Sequence, residues 1–236
     1  MKKISIAFVT LTLLFACSEK KLENNLHLTG NIKGLKKGTL YVQRVSNNKL
    51  IALDTIAIEG NSNFETNIEL QSPEMLYLFL DRGVSNSLDN NVLFFAEPGN
   101  INIETNLENY IADAKVTGSK NQDLYYEFKK VDRRFQDESL NLIEKKFKAI
   151  KSKNENEIAS ITAKQETNIK RKYLYAANFA INNKDYEVAP YIALSEIYDI
   201  NLKYLDTIHK SMSPRVAQSL YGKKLTDYIA SIKKQQ

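Results

Sequence analysis

Cys17 is the only cysteine in the chain, and it stands directly after Leu14-Phe15-Ala16, where an uncharged, mostly apolar run that began at Ile4 comes to its end. A lone thiol can be acylated there. It cannot form a disulfide, a CxxC redox pair or a multi-thiolate metal site, since each needs a second cysteine. His27 and His209 are the only histidines, one on an expected first strand and one near a helix end, without HxH or HExxH spacing. Both read as ordinary surface or half-buried residues. GxSxG, GxxxxGK and GxGxxG are all missing. Val116-Thr117-Gly118-Ser119-Lys120 imitates the end of a phosphate loop but lacks its preceding glycine, and a strand-to-helix turn capped by Ser119 is the simpler account. Asp137-Glu138 falls on an expected helix, where neighbours point in different directions. Without a nucleophile beside a base, a metal set or a phosphate loop, the expectation is a chain with no catalytic turnover and no cofactor.

Lys2 and Lys3 ahead of the apolar run complete the three parts of a secretory signal: basic start, apolar middle, small residue at the cut. As a helix the run of about 13 residues rises only ~20 Å, against a hydrocarbon core of ~30 Å, which is short for a membrane span. Leu14-Phe15-Ala16-Cys17 resembles the bacterial lipobox, in which the thiol is acylated and becomes residue one of the mature chain. The resemblance implies that residues 1–16 are a signal peptide and that palmitate-type acyl chains on Cys17 hold the protein to a membrane of the cell envelope. An ordinary cleaved signal and an uncleaved anchor are the alternatives. Ser18, rather than an aspartate, follows the cysteine; by analogy with bacterial sorting this implies the outer membrane, on its periplasmic face or at the cell surface.

About 220 residues remain beyond such a signal, enough for one large or two small domains. Apolar residues make up 43% and charged residues 26% of the chain, an ordinary globular balance. The net charge of +5 becomes about +3 without Lys2 and Lys3. Lysines alternate with acids in Glu144-Lys145-Lys146 and Lys151-Ser152-Lys153-Asn154-Glu155. That is a solvated face and not a stripe that tracks phosphates, so no nucleic-acid partner is expected.

Residues 17–25 read as a polar tether. From 26 to 118 the pattern is of short apolar or alternating runs cut by turn residues, as strands require. These runs are Thr39–Val45, Leu50–Ile58, the period-two series Phe64, Thr66, Ile68, Leu70, then Met75–Leu80, Val92–Ala96, Ile101–Thr105 and Ala114–Thr117. Met75–Leu80 is apolar on both faces, which marks a central strand. Seven or eight strands at this spacing predict an antiparallel β-sandwich or barrel-like sheet. From 119 to 236 the period becomes helical: Leu124, Phe128, Val131, Phe135 and Leu142, then Ile158, Ile161, Ile169, Tyr173 and Ala176, predict an antiparallel helical hairpin. Further helices are expected over Val188–Tyr198 and from Ser213-Pro214 to about Ile232. The expected fold class is α+β. Tyr125, Tyr126, Phe128 and Phe135, facing Tyr173, Tyr175 and Phe179, line either a groove or the core of the hairpin.

Leu28-Thr29-Gly30-Asn31-Ile32 with Gly34-Leu35, Leu53-Asp54-Thr55, Asn63-Phe64-Glu65, Phe95-Ala96-Glu97-Pro98-Gly99 and Val116-Thr117-Gly118-Ser119 occur in an order that resembles a Bacteroidota lipoprotein family. It is the uncharacterised β-rich domain that precedes thioredoxin-like domains in envelope thiol-disulfide lipoproteins. The resemblance covers roughly residues 26–135 and continues through the helices to Ser219-Leu220-Tyr221-Gly222-Lys223-Lys224-Leu225. The thioredoxin-like domain of those proteins begins about where this sequence stops, and no thiol follows residue 17, so the family's dithiol chemistry is not implied. Asp54-Thr55-Ile56 and Asp206-Thr207-Ile208 also resemble the O-glycosylation sequon of Bacteroidota envelope proteins. Thr55 and Thr207 are therefore candidate acceptors, although the strand pattern competes as the reason for Asp54-Thr55.

Two functions are compatible with these features. One is a non-catalytic envelope lipoprotein that binds or scaffolds an envelope protein or a small ligand. The other is an accessory of envelope thiol-disulfide exchange, or a truncated oxidoreductase, lacking the catalytic domain. The polar loop Asp81–Asn91 lies between two apolar strands, and Arg82, Ser85, Asn86, Ser87 and Asn90 are its candidate partner-binding residues, expected to line a cleft between sheet and helices. The lipid anchor is directly testable. Cells fed a clickable palmitate analogue should label the wild-type protein and leave Cys17→Ala unlabelled; label retained by the alanine variant would refute acylation at this residue.

Overall fold

A computed structural model describes residues 25–47, 49–83 and 90–235. The expected signal peptide, Cys17, the tether up to residue 24, and loop residues Ser85, Asn86 and Ser87 lie outside the described residues. The first half forms eight strands: β1 (Leu26–Lys33), β2 (Lys37–Ser46), β3 (Lys49–Glu59), β4 (Asn63–Ile68), β5 (Glu74–Asp81), β6 (Asn91–Ala96), β7 (Gly99–Asn106) and β8 (Lys115–Thr117). They make two four-stranded sheets, β4-β1-β7-β8 and β3-β2-β5-β6. The α+β class therefore holds, and the sheets face one another as a sandwich without closing into a barrel. Pairing is antiparallel except between β1 and β7, which run parallel. A parallel neighbour needs a long crossover, and here β2 to β6 supply most of it.

The sandwich core follows from strand alternation. Leu26, Leu28 and Ile32 of β1, Leu40 and Val42 of β2, Phe64 and Ile68 of β4, and Ile101 and Ile103 of β7 turn into one cluster. Gly30 interrupts the β1 series for a steric reason. A Cβ there would lie 2.4 Å from the Phe64 ring and 2.2 Å from the Ile103 carbonyl oxygen, so only glycine lets these groups approach.

The helices are α1 (Lys120–Lys151), α2 (Glu155–Asn182), α3 (Val188–Glu196), α4 (Leu202–Ser211), α5 (Pro214–Ala217) and α6 (Leu220–Gln235). Ser119 caps α1 as anticipated, its Oγ accepting the Gln122 N–H at 3.0 Å. Asn154 caps α2 by accepting the Glu157 N–H at 3.2 Å. Two features depart from the sequence reading. A separate helix, α4, fills the stretch before Ser213. The helix starting at Pro214 lasts a single turn, because Ser219 begins a new one, its Oγ accepting the Gly222 N–H at 3.2 Å. Gly222 is pressed so closely against the turn of α5 that a Cβ would lie 2.0 Å from the Val216 carbonyl oxygen.

Strand β5 belongs to both layers. Leu76, Leu78 and Leu80 face the sandwich core, while Met75 points the other way, with Phe95 of β6, into a helical core built on Phe128, Ala177, Ile192, Leu205 and Leu225. Met75 and Phe95 are cross-strand partners. Phe95 meets Tyr191 and Tyr221 edge-on at 5.7 and 6.0 Å between centroids. The Met75 N–H donates to the Tyr221 hydroxyl at 2.9 Å, and the Phe95 N–H donates to Gln122 Oε1 at 2.6 Å. Removing the Phe95 ring leaves a cavity between two cores. Phe95→Ala should cost about 3–5 kcal/mol in urea unfolding, whereas Leu93→Ala, on the same strand with a more exposed side chain, should cost less than about 1 kcal/mol; equal losses would mean that Phe95 is no special joint.

Candidate functional site

Where the end of β2 meets the start of β5 and the α5–α6 turn, a cleft of about 650 Å³ opens between sheet and helices, lined by Arg44–Asn47, Gln71, Ser72, Glu74, Gln218, Leu220, Lys223 and Lys224. Its floor is rigid. Ser72 Oγ accepts the Leu220 N–H at 3.0 Å, and Tyr221 is tied to the Met75 backbone. Glu74 is buried at the base, with Arg44 Nη2 3.0 Å from its Oε1. Burial pushes the Glu74 carboxyl above its usual range, and the Arg44 and Lys224 charges oppose that shift without cancelling it. Lys224 Nζ also lies over the Tyr221 ring, 5.6 Å from its centroid. The cleft thus carries Arg44, Lys223 and Lys224 against one carboxylate that is itself hard to ionise. Arg44 Nε is buried and donates to no protein acceptor. This arrangement favours a negatively charged group.

The cleft sits where the sheet–helix argument expected one, but different residues line it. Glu74 opens β5 at the helical end, and Asp81 closes it at the other. An eight-residue strand covers roughly 25 Å, which carries Asp81 and Arg82 away from the junction. Arg82 instead lines a separate depression of about 390 Å³ with Lys37–Thr39 and Ala57–Glu59. Asn90 is buried just ahead of β6. Thr55 is exposed on β3 and Thr207 on α4. The Asp54 carboxylate accepts the Thr66 hydroxyl across the sheet edge, a structural reason for that aspartate, while the Thr207 hydroxyl donates to the Lys203 carbonyl at 2.8 Å. His27 pairs with Asn67 at 3.0 Å in the sandwich and His209 with Thr226 at 3.0 Å among the helices, so the two do not share a site. Among the described residues no group of three or more His, Cys, Asp or Glu is arranged around a metal-sized space.

Most of the aromatic series packs into the helical core, while Tyr126 is 40% exposed, its hydroxyl accepting the Val116 N–H at 3.2 Å, and Phe135 borders a surface groove between α1 and α2. Phe128 stacks on Tyr175 at 5.5 Å and meets Phe179 at 5.3 Å. What sequence reading missed is the charge inside that core. Asp132 is fully buried, with Lys129 Nζ 3.0 Å away and Lys172 Nζ 3.3 Å away, and both lysines also reach Glu196, at 3.3 and 3.6 Å. Gln136 Nε2 donates to Asp132 at 2.6 Å. Burial alone would lower the Lys129 ammonium, yet the Asp132 hydrogen bond and neighbouring charges hold it above its usual range. The cluster ties α1, α2 and α3 together. Its signal was available, since Asp132 falls at helical spacing between Phe128 and Phe135. A second network anchors the start of α1: Glu97 accepts the Lys120 N–H at 2.6 Å and the Asn121 side chain at 2.5 Å, and Asn121 reaches buried Glu187 at 3.1 Å.

Fold and cleft together define a chain in which a β-sandwich and a helical layer share the strands β5 and β6 and leave a basic cleft at their seam. Residues 26–125 match the family model described as Domain of unknown function (DUF4369). The match spans all eight strands and ends early in α1. No curated protein and no solved structure matches the chain.

Glu74 allows a test by pH. Its folded-state pKa lies above the unfolded value of 4.5, so the folded protein holds the proton more readily than the unfolded chain. This group therefore stabilises the fold at low pH, and the contribution is lost as pH rises from 4.5 through the folded value. Glu74→Gln stays neutral at every pH, so its stability relative to wild type should climb across that window. A difference that stays flat from acid to neutral pH would show that Glu74 titrates alike in both states.

Proposed function

We propose that this chain is a non-catalytic lipoprotein of the cell envelope, held by acyl chains on Cys17 at the outer membrane, and that its two layers act as one binding module. The observation that carries the binding role is the junction cleft, where Arg44, Lys223 and Lys224 surround a single buried carboxylate on a floor fixed by both cores. Arg44 is held in place by Glu74, and Lys223 and Lys224 line the same cleft with exposed side chains; cations gathered in this way attract an anion and orient it. The occupant is an anionic group of a small ligand or of an envelope protein. A second reading, an accessory that presents substrates to a separate thioredoxin-like protein, is supported by the matched domain only through the family resemblance of residues 26–135.

A photo-crosslinking residue separates these readings. Placed at Gln218 in the membrane-bound protein, it should capture a defined partner, and Lys223→Glu with Lys224→Glu should reduce that capture at least several-fold. The same probe at Arg82, beyond the far end of β5, should capture little. Capture indifferent to the charge reversal, or confined to Arg82, would overturn the cleft assignment, and a captured protein with a CxxC motif would favour the accessory reading.

A further inference from the structure

Beyond Asp132 the α1–α2 hairpin rests on a thin core of Leu142, Ala149 and Ile161, with Ile158 beside them. On the same stretch of α1, Leu140, Ile143, Phe147 and Ile150 remain 67%, 44%, 63% and 51% exposed. Their steps of three, four and three place them on one stripe, the a and d positions of a heptad, about a third of a turn around the helix from Leu142 and Ala149. Ile169 of α2 is 51% exposed and extends the stripe. Asn168 donates to Ser139 at 3.3 Å, which in the antiparallel hairpin sets Ile169 just before Leu140, towards the body of the molecule. Single exposed leucines are ordinary, but five large apolar side chains on one face of a hairpin mark a contact surface.

We propose that this stripe receives a second copy of the same chain, the two hairpins packing antiparallel about a two-fold axis. Charge complementarity points to that occupant. Asp137 and Glu144 flank the first half of the stripe, whereas Lys148 and Lys151 flank its end. With Leu140 set against Ile150 of the second copy, and Ile143 against Phe147, Asp137 comes alongside Lys151 once on each side of the axis. Glu144, near the axis, is already paired with Lys148 of its own helix. A parallel arrangement would set like charges at the same level, and an anionic lipid surface would suit the lysines while repelling the acidic half. The area agrees. The five side chains expose roughly 500 Å² per copy, so pairing would hide about 1,000 Å², the lower bound for a specific interface. The two-fold axis makes this contact self-complementary and closed, and each two-helix strut becomes half of a four-helix bundle. This surface is separate from the junction cleft and does not depend on it.

The full chain in mild detergent should scatter light with twice the protomer mass at tens of micromolar. Leu140→Glu with Phe147→Glu should give the protomer mass with an unchanged circular dichroism spectrum. In intact cells, introducing Ile143→Cys together with Phe147→Cys should produce an inter-chain disulfide, because Cys17 is the only native cysteine. A wild-type protomer at that concentration would overturn the proposal, as would a dimer indifferent to both glutamates. A spin label at residue 147 immersed in lipid would likewise overturn it and assign the stripe to the membrane.

Discussion

Met75 and Phe95 lie opposite one another on β5 and β6, on the face turned away from the sandwich core, and most of the molecule is organised around that pair. An antiparallel sheet ordinarily buries one face and wets the other. Here one end of the outer face is buried too, under Tyr191 and Tyr221, and the backbone N–H groups of both residues are taken by helical side chains, Tyr221 and Gln122. The phenols pay for burial with pKa values pushed upward, so they remain neutral donors and acceptors at any physiological pH. The sandwich and the helices therefore cannot separate without exposing apolar surface and orphaning buried amides in the same step.

Seen from that joint, the segments that carry the sequence resemblance have structural work to do. Gly30 lets the Phe64 ring reach the backbone of β7. Glu97 caps the start of α1 and connects through Asn121 to Glu187. Gly118 turns β8 into α1 with a backbone φ of 94°, and a Cβ there would lie 2.0 Å from the Asn100 carbonyl oxygen. Tyr221 and Gly222 seat α6 on the sheet. Steric and hydrogen-bonding demands of the sandwich and its seam account for each of them, so the resemblance speaks to architecture and leaves chemistry to other surfaces.

Those surfaces differ in kind. The junction cleft is small, polar and cationic, and its walls come from both layers, so its shape is as stable as the joint beneath it. The distal hairpin is long, supported by few buried side chains, and apolar where it should be wet. A buried ion cluster at Asp132 divides the two regimes: towards the body, α1 and α2 are packed against α3, and beyond it, among the described residues, they pack on each other. Burying Asp132 is tolerable because two lysines and Gln136 surround it, and removing one partner would leave a charge in a medium that solvates it poorly.

Periodicity along the chain was enough to place all the later strands, the two long helices and the Ser119 cap, because each depends on residues near in sequence. Met75–Leu80 announced itself as central through having two apolar faces, and the seam between sheet and helices was foreseeable from that fact. Which residues border the seam was not. That depended on the direction of β5, which carries Glu74 towards the helices and Arg82 away from them. The parallel pairing of β1 with β7, the break between α5 and α6, and the burial of Asp132 were likewise decided by tertiary contacts. An amphipathic pattern states that a face must be covered but not by what, and only the fold shows that Leu140, Ile143, Phe147 and Ile150 stay exposed beside the Leu142 face. Sequence alone determined the local elements and the scarcity of reactive groups; the partner of each apolar face, and the convergence of Arg44, Glu74 and Lys224 from distant segments, came only with the packing.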